Sequence, residues 1–97
     1  MASLKKVSMS ADEAEALALQ TLAFLAGDGA RLQRFLALSG VDPAELRASA
    51  EAAHMQLAVL DHVLTDESLL LVAAADMGIV PEAFQKAHNL LSGARMK

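Results

Sequence analysis

Three observations predict an all-α fold, a compact orthogonal bundle of five or six short helices. First, 55% of the 97 residues are apolar and that share comes from alanine and leucine, the leading helix formers, whereas aromatics reach 3%. Second, the apolar residues recur at spacings of three and four, the helical period. Third, glycine and proline divide the helical runs, ending one and opening the next. A chain of this length has room for one core. One domain is expected at 10–92, with flexible tails at 1–9 and 93–97 where no period is visible.

Each element has its own signals. "SADE" at Ser10 to Glu13 is a capping box that opens the first helix, and Gly27 should close it. Within that helix Glu13, Ala16, Gln20 and Ala23 form a wet stripe, while Leu17, Leu22, Phe24 and Leu25 form the dry face. "GDG" at Gly27 to Gly29 reads as a tight link, Asp28 capping "GARLQRFLALS" with Leu32, Phe35 and Leu36 inward and Arg31 and Arg34 outward, until Gly40. Segment 43–64 has Leu46, Ala50, Ala53, Leu57, Leu60 and Leu64 in helical register; it is one long helix or two, jointed near Ser49 to Ala53. Thr65 or Asp66 then caps "ESLLLVAAADM". That run is apolar nearly all round from Leu69 to Ala75, which predicts the central and most buried helix. The last helix should run from Pro81 to Gly93 with Phe84, Leu90 and Leu91 inward.

One corner occurs twice, in "LSGVDPAELRA" and "DMGIVPEAFQK". Gly40 and Gly78 are suited to the left-handed conformation that ends a helix, and Pro43 and Pro81 to the first helical position, where an N–H is not needed. Val41 on Leu46, and Ile79 on Phe84, would act as hydrophobic staples; Asp42 and Glu45 would form a second capping box. Val80 stands where a cap oxygen is wanted.

The order of the segments "LALQTLAFLAGD", "RFLALSGVDPAELR", "LDHVL" and "DESLLLVAAADMGIVPEAF" resembles a family of small alphaproteobacterial proteins catalogued as a domain of unknown function, DUF 3572. The likeness covers roughly 11–91. It implies a short free-standing bacterial protein and supplies no catalytic or binding residue. Members of that family usually have Asp before the second proline, where this chain has Val80.

Composition narrows function. A net charge of −4 disfavours phosphate backbones and acidic membranes, and the absence of cysteine excludes disulfides and thiolate chemistry. The longest apolar run, Leu69 to Ala75, is far short of the roughly 18 residues of a membrane span. Two lysines precede an apolar run near the N-terminus, but Asp12, Glu13 and Glu15 interrupt a signal-peptide pattern, so a cytoplasmic location is expected. His54 and His62 lie too far apart to ligate one metal from a single helix turn, and His62 is expected in solvent, opposite Leu57 and Leu60. No metal, cofactor or catalytic residue is assigned. The expected function is therefore a non-catalytic interaction or adaptor module, binding another protein or itself, with methionines such as Met55 and Met77 as soft surface. The alternative is a helix-turn-helix at about 69–92 that reads DNA through Gln85, Lys86 and Asn89, against which stand Glu82 in the first turn and few supporting bases, Lys86, Arg95 and Lys97.

Overall fold

Ser10 opens α1 (Ala11–Ala26) with the expected capping box: its Oγ accepts from the Glu13 N–H at 3.1 Å, and the Glu13 carboxylate accepts from the Ser10 N–H at 2.8 Å. The computed structural model describes residues 8–95, of which Met9 already packs half-buried against the core. After α1 come α2 (Gly29–Ser39), α3 (Pro43–Ala48), α4 (Ala53–Leu64), α5 (Glu67–Met77) and α6 (Glu82–Arg95), with no strand among the described residues. The two-residue link before α2 is the expected one, Asp28 accepting from the N–H groups of Ala30 and Arg31. Arg31 stacks 4.7 Å above the Phe24 ring and fastens that corner.

Segment 43–64 is two helices. Residues 49–52 break it, Ala52 stands at the N-cap of α4 without a side-chain hydrogen bond, and the half-buried turn is held by the Gln56 amide, which donates to the Glu51 carbonyl at 3.2 Å. The second capping box does not form. Asp42 accepts from the Ala44 N–H, but Glu45 turns away across the break and its carboxylate lies 2.7 Å from His54 Nε2.

Both repeated corners are built on left-handed glycines, Gly40 at φ 76° and Gly78 at φ 68°, the two positive-φ residues found among the described residues. Their hydrogen bonds differ. The Gly40 N–H returns to the Leu36 carbonyl alone, whereas Gly78 and Ile79 donate to Ala75 and Ala74 in a full Schellman closure. Asp42 caps α3 in the first copy. In the second, Val80 has no side-chain oxygen to offer, and the start of the helix is held by tight three-residue turns, Ala83 N–H to Val80 carbonyl and Phe84 N–H to Pro81 carbonyl, so that α6 starts one residue beyond Pro81. Val80 is exposed, and an Asp there meets no steric obstacle. Val80→Asp is expected to stabilise the domain by about 1 kcal/mol, a rise of roughly 4–8 °C in melting temperature. A melting temperature that stays put or falls would refute this cap geometry. The α6 helix also passes through Gly93, where an end was expected, and continues to Arg95. Of the expected tails, residues 1–7 and 96–97 lie outside the described residues.

The centre of the bundle is α1, α4 and α6, each packed on the other two; α2 lies across α1 and α4, and α5 rests mainly on α4. Leu25 from α1, Met55, Val59, Leu60 and Val63 from α4, and Phe84 and Ala87 from α6 are almost wholly buried, with Phe35 entering from α2. Thr21, the buried polar residue of α1, is satisfied by its own helix through the Leu17 carbonyl at 2.7 Å. The expectation that Leu69 to Ala75 forms the central helix is overturned. Only Ala73 and Ala74 of α5 are buried, because the helix has one substantial neighbour and its far side meets solvent.

Candidate functional site

Helix α5 is apolar on two opposite sides. Leu69, Leu70, Ala73, Ala74 and Met77 turn toward the core, buried or half-buried. Ser68, Leu71, Val72 and Ala75 are exposed, Leu71 at 50% and Val72 at 45%. Their spacing, i, i+3, i+4 and i+7, makes one stripe along the outside of the helix, apolar at Leu71, Val72 and Ala75 with Ser68 at its N-terminal end. With about 100° per residue, Glu67 and Asp76 fall roughly 90° to either side of the stripe's centre, so each edge carries an acid. Both acids are exposed, and α5 has no basic residue. The other exposed large apolar residues, Leu19, Leu38 and Val80, are scattered over α1, α2 and the corner before α6, where single apolar residues are ordinary.

The residues expected to read DNA do share a face. Gln85, Lys86 and Asn89 are all exposed on α6, and the Gln85 amide donates to Asn89 Oδ1 at 3.0 Å. Glu82 is exposed one turn earlier. The methionine surface is a different matter: Met55 is fully buried and Met77 half-buried, so neither offers the soft exposed patch expected of them.

The histidines are dispersed. His54 pairs with Glu45, and His88 Nε2 lies 4.0 Å from Asp61 Oδ1. His62, expected in solvent, is 8% exposed and sets its ring edge-on to Phe35, with centroids 5.2 Å apart at 75°. The core side of α4 runs through Met55, Val59 and Val63, and His62 belongs with them, while Leu57 and Leu64 of the expected dry face are only half-buried. Its Nε2 is buried without a hydrogen-bond partner. Beside it lies an open hollow of about 260 Å³ between α2 and α4, lined by Leu38, Ser39, Ala58, Asp61, His62 and Thr65.

Burial lowers the pKa of His62, Arg34 lowers it further, and Asp66 and Asp61 oppose the shift. The neutral ring is therefore the native form. The unfolded chain takes up this proton near pH 6.5 and the folded one only at lower pH, so the contribution of His62 to stability is complete above that range. It should be lost as pH falls from about 6.5 to the lowered native value. In melting curves at pH 7.5 and 5, His62→Phe should lose less stability on acidification than the parent chain; equal losses would exclude His62 as the source.

No helix among the described residues is long and apolar enough to cross a membrane. No curated protein and no solved structure matches the chain. A family model described as "Protein of unknown function (DUF3572)" matches residues 11–94, from the first turn of α1 almost to the end of α6, and the chain belongs to that family.

Proposed function

We propose that this chain is a non-catalytic protein-interaction module, an adaptor that works in the cytoplasm and presents the outer stripe of α5 to a partner. The observation that carries this reading is the spacing of Ser68, Leu71, Val72 and Ala75, all exposed on one three-turn helix. Leaving apolar surface in water forfeits about 25 cal/mol per Å², and a stripe of this spacing is what a second helix covers. The three histidines lie elsewhere: His62 is in the core, His54 is on Glu45, and His88 Nε2 is 4.0 Å from Asp61 Oδ1. A photo-reactive residue placed at Leu71 should trap a discrete protein adduct in the native cell, and the same residue at exposed Ala16 on α1 should not. Equal labelling from both positions, or none from Leu71, would overturn the reading.

The nucleic-acid alternative draws on the shared exposed face of Gln85, Lys86 and Asn89. Glu82 on the same face and the net charge of −4 weigh against it, since duplex binding at low ionic strength is dominated by phosphate neutralisation. Salt-sensitive retention of a labelled random duplex, lost in Lys86→Glu, would favour that second reading over the first.

A further inference from the structure

Asp76 stands in the last turn of α5, where the carbonyl end of the helix dipole repels an acid at a cost of about 0.3–1 kcal/mol. It is exposed and has no ion pair among the described residues. The fold thus gains nothing from this charge. Its position, beside Val72 and Ala75 at one edge of the stripe, matches that of Glu67 at the other. Helices that pack side by side place their flanking charges opposite those of the partner, and those charges select which partner is accepted.

We infer that the occupant of the α5 stripe is an amphipathic helix of another protein, with a leucine or alanine seam flanked by lysine or arginine. The proposal rests on the interaction reading above and adds the chemistry of the partner. A second copy of this chain fits poorly: α5 carries no base, so any pairing of α5 with itself sets acid against acid between two molecules of net charge −4. A helix with Lys or Arg flanks meets an acid at each edge. It also brings positive charge to the C-terminal end of α5, where the dipole is left unanswered.

The test is a displayed library of three- to four-turn helices with a fixed leucine/alanine seam and flank positions encoding Lys, Gln or Glu, selected on the full chain. Lys-flanked helices should be enriched over Glu-flanked ones by about threefold to tenfold, the range of two exposed ion pairs, and the preference should fade in 1 M salt. Asp76→Lys combined with Glu67→Gln should abolish or reverse the preference, while Asp76→Lys alone leaves the melting temperature unchanged or higher. Leu71→Ser should remove binding altogether. Enrichment indifferent to flank charge, retention of binding by Leu71→Ser, no binder above background, or dimers in sedimentation that Leu71→Ser dissolves would each overturn the proposal. An adduct from Leu71 in cells together with flank-indifferent selection would refute the basic partner and leave the interaction module standing; absence of both would remove the two together.

Discussion

Phe84→Ala is expected to destabilise the domain by about 3–5 kcal/mol, a large part of the roughly 5–15 kcal/mol available to a native protein. Phe84 is fully buried in the first turns of α6, the helix that packs on both α1 and α4. Removing its ring opens a void in the core that α6 shares with α1 and α4. Urea unfolding followed by helical circular dichroism should show a much lower midpoint with little change in slope. A loss below about 1 kcal/mol would mean that Phe84 does not stand at the centre of the bundle.

Phe35→Ala should act more locally. Phe35 is the one fully buried residue of α2 and the ring against which His62 stands. Its truncation is expected to cost about 3 kcal/mol, at the low end of the range for Phe because α2 lies on the outside and can settle inward. The diagnostic result is the titration of His62: with the covering ring gone, water reaches the imidazole and its pKa should rise toward the ordinary value near 6.5. Resonances of the His62 ring followed against pH would record this. An unchanged titration would show that something other than Phe35 keeps the ring dry.

Local rules carried the reading of the chain wherever local chemistry decides. Ser10 with Glu13, Asp28, Asp66, Gly40 and Gly78 mark ends that depend on hydrogen bonds within a few residues, and the structure has those bonds. The failures involve partners distant in sequence. Glu45 had a capping role available within three residues, and a histidine nine positions away took it instead. His62 was misplaced because the dry face of α4 was set by its leucines, Leu57, Leu60 and Leu64, whereas the buried arc runs through Met55, Val59 and Val63 and leaves Leu57 and Leu64 half-buried. For α5 the difficulty is deeper. A helix apolar on all sides has the same composition whether its own protein surrounds it or one side awaits another molecule, so only the positions of α1, α4 and α6 distinguish the two cases. The candidate site was therefore visible in the sequence as a leucine-rich run but not as a surface.

The gap between α3 and α4 has a consequence for how this chain tolerates change. None of the six residues of α3 is buried, and the 2.7 Å contact between Glu45 and His54 spans the gap at half-exposed side chains. That segment should open on its own, exchanging its amide hydrogens far faster than α4 and admitting a protease between 49 and 52 while the rest stays folded. Extra residues spliced in at that point would then lengthen a loop at an entropic cost that grows only slowly with their number, making it the natural place to graft a label or a second domain.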